Sequence, residues 1–383
     1  MISMGGFLPD QPRSDSDFRV RAILSSMSGE NRLYDLLKLT VERKASDLHL
    51  KLGNPPAIRI DGTITTVEGY RFSRREFDRM LESLVTADQM KQFHETKELD
   101  CAYALEGIAR FRVNLYLDIN GAGAVFRVIP CDVKNFDEVG LPVAAQKLIE
   151  QPNGLILVTG PTGAGKTTTL ASYIQYVNSH ARRHIVTLED PIEYQFEEAL
   201  SIITQRQVGI DCLGFYEGLL TVLRQDPDIV VVGEMRDAQT IALTLNAAET
   251  GKLVLATLHT TSAVQTAERI VNVFPENQQR QVLHQLSMVL RGVVSQTLLP
   301  RIGGGRIPAF EVLINTAAVR SIIGDGKIHL LSSFLETGQE IGMVTLEMSL
   351  LGLVKKGLVR AEEALSAAPN PGALKKLLAG ARL

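Results

Sequence analysis

The chain has 383 residues, 40 Lys and Arg against 43 Asp and Glu, and a formal net charge of −3. That length carries two domains of ordinary size, and the near-balanced charge speaks against the broad polyanion-binding surface of a nucleic-acid motor. Three cysteines, Cys101, Cys131 and Cys212, stand far apart without C-x-x-C spacing, which argues against a disulfide framework or zinc ribbon and for reduced, buried thiols.

Residues 1–30 are rich in Ser, Asp, Gly and Pro, lack the basic and then apolar order of a secretory signal, and read as a flexible extension. No apolar run approaches the ~18 residues of a membrane span, so a cytoplasmic protein with no direct membrane span is expected. From Asn31 the spacing of Leu33, Leu36, Leu37 and Val41 predicts a helix. Ala45-Ser-Asp-Leu-His-Leu50 reads as a short strand, and residues 57–67 as a hairpin turning at Asp61-Gly62. Ser73 with Glu76 and Thr86 with Gln89 form capping boxes that start two more helices.

Two strands, Arg110 to Leu117 and Val125 to Ile129, close this segment. Alternation puts Phe111, Val113, Leu115 and Leu117 on one face and Arg110, Arg112, Asn114 and Tyr116 on the other, with Arg127 joining the arginines. That second face is either solvated or a cationic surface offered to a phosphate. Residues 31–130 thus predict an α+β domain with an antiparallel sheet, and the polar stretch 131–142 a linker.

The second domain, 143–383, alternates apolar strand runs with helical segments, the pattern of an α/β fold with a mostly parallel, doubly wound sheet. Its strands are expected at Leu155–Thr159, Ile185–Leu188, Ile229–Val232 and Leu253–Thr257. The first runs into Gly160-Pro161-Thr162-Gly163-Ala164-Gly165-Lys166-Thr167-Thr168, a complete G-x-x-x-x-G-K-[ST] between strand and helix. Such glycines let backbone N–H groups converge on a phosphate, Lys166 can neutralise the β/γ-phosphates of ATP, and the Thr167 hydroxyl can ligate Mg2+. In such sheets ligands bind beyond the carboxyl ends of the strands. There the next three strands deliver Glu189-Asp190-Pro191-Ile192-Glu193, Gly233-Glu234-Met235-Arg236-Asp237 and His259-Thr260-Thr261.

Hydrolysing a nucleoside triphosphate needs a carboxylate to orient water, Mg2+ on the phosphates and cations for the developing charge. Glu189, Asp190, Glu193 and Glu234 are the candidate carboxylates. Gly233 occupies a position where an Asp is usual, so Glu234 alone remains and would meet the metal through water. His259 is a candidate sensor of the γ-phosphate; the alternative is a satisfied buried histidine. Farther on, Gln265–Val273 and Gln279–Leu299 predict amphipathic helices bearing Arg269, Arg280 and Arg291 on polar faces. A strand follows at Ala309–Ile314, and then a wholly helical tail: Thr316–Ile323, Leu330–Gln339, Leu346–Lys356 and Glu362–Leu378.

The segments Gly160 to Thr168, Thr187 to Tyr194, Val232 to Asp237 and Thr257 to Thr260 resemble the Walker A, Asp box, Walker B and His box of secretion ATPases. Together with Ala45–Leu50 and Gly107-Ile-Ala-Arg-Phe-Arg-Val113, they are most similar to the type IV pilus retraction ATPases, the PilT and PilU family. The resemblance runs from Asn31 to the C-terminus. It implies a RecA-like P-loop ATPase domain preceded by a smaller PAS-like domain, and a homo-hexameric ring in which the PAS-like domain packs on the RecA-like domain of a neighbour. It further implies ATP with Mg2+ and a motor for pilus retraction and twitching motility at the inner-membrane base of the pilus machine. An inner-membrane platform protein and a paralogous retraction ATPase would be the partners, with no nucleic acid. By motif position Glu193 would be the catalytic glutamate acting on water, Glu234 the Walker B glutamate and His259 the His-box histidine, while Arg112 and Arg127 match arginines that reach nucleotide.

Two departures matter. The paired C-x-x-C motifs of assembly and type II secretion relatives are missing, which favours the retraction branch. Ala318-Val-Arg320-Ser321-Ile-Ile323 stands where retraction ATPases carry Ala-Ile-Arg-Asn-Leu-Ile, which leaves an accessory paralogue or another assembly ATPase as alternatives. A nucleic-acid motor and a non-hydrolysing nucleotide-binding scaffold are the remaining readings.

Overall fold

The computed structural model describes residues 29–380 apart from 61, 70, 106 and 130–132. Of the extension expected over residues 1–30, residues 1–28 lie outside the described residues, as do Asp61 of the expected turn and Cys131, while Gly29 and Glu30 already belong to the first helix. The chain divides into two compact units after residue 131.

In the first unit six strands form one antiparallel sheet. They are β1 (Asp47–Lys51), β2 (Ala57–Ile60), β3 (Thr63–Thr66), β4 (Glu98–Leu105), β5 (Ala109–Asp118) and β6 (Gly121–Ile129), in the order β3-β2-β1-β6-β5-β4. Helices Gly29–Glu42, Arg74–Leu84 and Ala87–Thr96 accompany it. Both expected capping boxes form: the Glu76 carboxylate accepts from Ser73 N at 2.9 Å and Gln89 Oε1 from Thr86 N at 3.0 Å. Each such cap is worth about 1 kcal/mol and fixes where its helix begins. Leu36, Leu37 and Phe77 join Leu48, Leu50, Phe111, Val113, Leu115 and Phe126 in one core.

Two expectations need correction here. A third closing strand, β4, pairs with β5 along its whole length. Leu117, expected inside, is 42% exposed, and Ile119 in the following turn is fully exposed; alternation assigns a residue to a face but does not supply a cover for it.

The second unit is an α/β fold on a mixed, mostly parallel sheet. Its strands are β7 (Gly154–Thr159), β8 (His184–Glu189), β9 (Ile202–Gln207), β10 (Ile229–Val232), β11 (Leu253–Leu258), β12 (Leu290–Pro300) and β13 (Arg306–Ile314), ordered β13-β12-β7-β11-β10-β8-β9. Every neighbouring pair is parallel except β12 with β13. β7, β10 and β11 are buried at every residue, which is why they read as continuous apolar runs rather than alternating ones. Separate apolar clusters share out their side chains, Leu155 and Leu157 to one and Ile156 and Val158 to the other.

The helix expected over Gln279–Leu299 is wrong in its second half. A helix covers Glu276–Val289, and β12 begins at Leu290, so Arg291 sits on a strand and not on a helical polar face. Most of β12 is buried, so no single period marks the run, and Gly292 lets it pass within reach of Leu148 and the Leu313 carbonyl. Strand β9, an edge with exposed Ile202, was not expected either. The last expected helix, Glu362–Leu378, is two helices, Ala361–Ala367 and Pro371–Gly380, because Pro369 and Pro371 cannot continue a helical ladder. Four parallel strands, β7, β8, β10 and β11, end on the same edge of the sheet, and that edge holds the reactive residues.

Candidate functional site

β7 ends at Thr159, whose buried hydroxyl donates to Ser295 Oγ on β12 at 2.8 Å. The chain then turns through Gly160 and Gly165, at φ +146° and +90°, conformations that only glycine adopts cheaply. A Cβ at Gly160 would also lie 2.3 Å from the Gln296 carbonyl oxygen. The helix Lys166–His180 starts at once, and its N-cap Gly165 offers no side chain to its first N–H groups. Those orphan donors and the positive end of the helix form a cradle for an anion. Lys166 folds back over the loop, donating to Gly160 O at 2.7 Å and Pro161 O at 3.2 Å. Burial pushes its ammonium below the usual lysine range, although Glu234 and Glu193 work against that. An ammonium that, among the described residues, has carbonyls and a histidine in hydrogen-bond reach suits an anionic ligand, so the chemistry of this donor set fits a nucleotide phosphate.

The other three segments meet this loop. His259 Nδ1 lies 3.2 Å from Lys166 Nζ, and its Nε2 lies 2.9 Å from Glu234 Oε1. The histidine side chain is 47% exposed, which removes the reading of a satisfied buried histidine. Glu234 also meets Arg236 at 2.7 Å. Burial works to raise its pKa, but Arg236, His259 and Lys166 outweigh burial and hold the carboxyl below its usual range. At Gly233 a Cβ would stand 2.8 Å from the Leu188 carbonyl oxygen, so the aspartate usual there has no room in this chain. The Thr257 hydroxyl donates to the Gly233 carbonyl and fixes that turn against β11.

Glu189 and Glu193 part company in this geometry. Glu189 accepts from Thr187 Oγ1 at 2.6 Å and from Gln205 Nε2 at 3.1 Å, and burial raises its pKa despite those bonds. It is an anchored carboxyl, held within the sheet. Glu193 is half-buried and near enough for its charge to act on Lys166. The loop that carries it is pinned twice: Gln205 Nε2 donates to Tyr194 O at 2.7 Å, and the Tyr194 hydroxyl lies 3.0 Å from Thr168 Oγ1. Thr167 shares the first helical turn with Thr168. Among the described residues no cluster of three or more His, Cys, Asp or Glu forms a metal cage, so a cation here would depend on few protein ligands, as Mg2+ on phosphates does.

Arg112 and Arg127 belong to the first unit, where they are direct cross-strand partners on β5 and β6. Both have acidic neighbours: Arg127 Nε donates to Asp47 Oδ1 at 2.8 Å and Arg112 reaches Asp100 at 3.4 Å. Gln296 has no signal in the sequence, because the burial of β12 erases its period, and Gln205 has only a faint one. The polar Thr204-Gln205-Arg206-Gln207 after Ile202-Ile203 was the trace that β9 left.

A phosphate loop at the carboxyl edge of a mostly parallel sheet, met there by acidic and histidine segments from the next three strands, defines a nucleotide-binding ATPase. The sequence model of the type II/IV secretion system protein family matches residues 30–306, and the chain belongs to that family. It is 45% identical to the type IV pilus retraction ATPase PilT of Pseudomonas aeruginosa, over 88% of this chain and 98% of that one. It is 36% identical to the type IV pilus ATPase PilU of the same organism, over 90% of each. A crystal structure of the pilus retraction motor PilT with bound ADP superposes with a TM-score of 0.83 at 41% identity, covering 89% of this chain and 98% of that one.

Proposed function

We propose that this protein is an ATP-hydrolysing motor of the pilus-retraction type, acting as a homo-hexamer on the cytoplasmic side of the inner-membrane base of a pilus machine and driving twitching motility. The observation that carries the reading is the line Lys166, His259, Glu234, which runs from the phosphate cradle to a charged carboxylate. Backbone N–H groups between Thr162 and Thr168 hold the phosphates, and Lys166 leaves the Gly160 carbonyl to neutralise them. Thr167 would hold Mg2+, with Glu234 reaching it through water, and the ion would supply charge neutralisation on the phosphate oxygens. Glu193 orients and deprotonates the attacking water, and Glu189 acts behind it as an anchored carboxyl.

His259 exchanges its contact with Lys166 for the γ-phosphate and so reports its presence to Glu234. Arg112 and Arg127 reach nucleotide held by a neighbouring copy, after giving up part of their pairing with Asp100 and Asp47. An inner-membrane platform protein and a paralogous retraction ATPase are the proposed partners. Among the described residues no helix is long and apolar enough to cross a membrane. An accessory role of the PilU kind is the second reading, favoured by Ser321 in place of asparagine.

The test is phosphate release from Mg-ATP by the purified protein against Lys166→Ala. Equal release would leave only a nucleotide-binding scaffold. In a deletion strain carrying the gene back, pili that lengthen rather than shorten would remove the retraction role.

A further inference from the structure

The β12–β13 hairpin carries two polar side chains, buried Gln296 and half-buried Glu311, that the nucleotide site does not explain by itself. Ser295 is the ladder partner of Glu311, and Gln296 of Phe310. Gln296 is 4% exposed, accepts from Thr169 Oγ1 at 2.8 Å and donates to Ala164 O at 2.7 Å. Its own carbonyl closes on Gly160. One residue therefore holds the phosphate loop by hydrogen bonds near its exit and in the first turn of its helix, and its backbone lies close against the loop's entry.

Glu311 does the corresponding thing to the neighbouring loop. Its Oε1 accepts from Ala263 N at 2.7 Å, the first residue of the helix Ala263–Asn272 and four residues past His259. Between them, Thr260 Oγ1 bonds Thr266 Oγ1 at 2.7 Å and Thr261 Oγ1 bonds Gln265 Oε1 at 2.8 Å. The His259 loop is thus lashed to its helix, and the helix to Glu311. On its other side the hairpin holds the C-terminal helices: Phe310 N donates to Ser349 Oγ at 2.9 Å, and Leu299 and Ala309 pack with Leu346, Leu350 and Leu351.

We infer that the β12–β13 hairpin couples the C-terminal helices to the nucleotide site, with Gln296 positioning the phosphate loop and Glu311 positioning the His259 loop. The physical reason is stiffness. A long, mostly buried two-stranded ladder moves as a unit, and both loops hang on it by hydrogen bonds whose loss would leave buried polar atoms unpaired. A shift of the tail against β13 is then carried by the hairpin to the phosphate cradle and the His259 loop together, and moves both against the rest of the sheet edge. The inference rests on the nucleotide-binding reading above.

Calorimetric ADP binding and steady-state hydrolysis on the full chain test it. Gln296→Leu should weaken ADP binding about 10-fold, the scale of a buried hydrogen bond or two. Gln296→Glu keeps the shape and the Thr169 bond but loses the donor to Ala164, and should weaken it in the same direction. Glu311→Leu should lower kcat about 10-fold with ADP affinity within 2-fold, and Glu311→Gln, which keeps an acceptor for Ala263 N, should restore it. Ser349→Ala, remote from nucleotide, should shift ADP affinity in the wild-type background and not in Gln296→Leu, the non-additivity expected of a shared element. Wild-type binding with unchanged affinity in both Gln296 variants overturns the hairpin inference alone, as does additivity of Ser349→Ala. No ADP binding by the wild type overturns the nucleotide reading itself.

Discussion

His259 and Glu234 share a 2.9 Å contact across the ends of β11 and β10, while the other imidazole nitrogen faces Lys166 at 3.2 Å. A histidine with one nitrogen on a carboxylate and one on the phosphate lysine is an exchangeable link, because an incoming anion competes for the lysine and not for the carboxylate. His259→Ala should therefore lower turnover about 10- to 100-fold, the range of a lost transition-state hydrogen bond, with ADP affinity changed only a few-fold. Parallel loss of affinity and turnover would make His259 a binding residue instead.

Glu193→Gln removes the proposed base while keeping side-chain size and the pinned loop beneath it. Turnover should fall by orders of magnitude, about 10²-fold or more, with ATP binding retained. Nucleotide binding measured alongside hydrolysis decides the assignment: lost binding means that Glu193 serves the phosphates rather than water. Glu189→Gln is the contrast, since that carboxyl already sits in a buried network with Thr187 and Gln205, and it should cost less turnover than Glu193→Gln.

Lys166 is a half-buried ammonium whose charge that partial burial already disfavours. Replacing such a group by an apolar chain of similar length relieves the desolvation it suffers in the free protein. Lys166→Met should melt at or slightly above the wild-type temperature without nucleotide and lose the upward shift that ADP gives the wild type. A drop of many degrees without nucleotide would mean that the Lys166 contacts with Gly160 and Pro161 hold the loop together.

The phosphate loop was legible because its chemistry dictates its residues: glycines where φ is positive, a lysine, a hydroxyl, and a strand before and a helix after. The ends of β8, β10 and β11 were legible for a related reason, since parallel strands that start as apolar runs must end on one edge. β12 was hidden by its burial, which erases the period by which strands and helices are told apart. Gln296 could not be found at all, because its partner Ala164 is 132 residues away in sequence. Gly233 departs from the usual pattern for a reason the sequence does not carry, since the close approach of the Leu188 carbonyl exists only once β8 and β10 are side by side.

Glu311 gives the fold a pH dependence whose sign can be worked out. Burial, reinforced by Glu347 and only partly offset by the Ala263 N–H, pushes its pKa from 4.5 up to about 7. The folded protein therefore holds a proton on Glu311 that the unfolded chain releases above pH ~4.5. Its stabilising contribution is present below that pH, declines as pH rises toward 7, and is gone above it. Glu311→Gln is neutral throughout and still accepts from Ala263, so it should match wild type near pH 4.5 and exceed it at pH 8 by an amount on the order of 3 kcal/mol at most. Urea unfolding of both proteins at the two pH values checks this. Comparing the variant with wild type at each pH cancels the titration of Glu189, whose pKa is raised in the same direction. An equal gap at both pH values would mean that Glu311 stays ionised in the fold, with its charge met by the N-terminus of the helix that it caps.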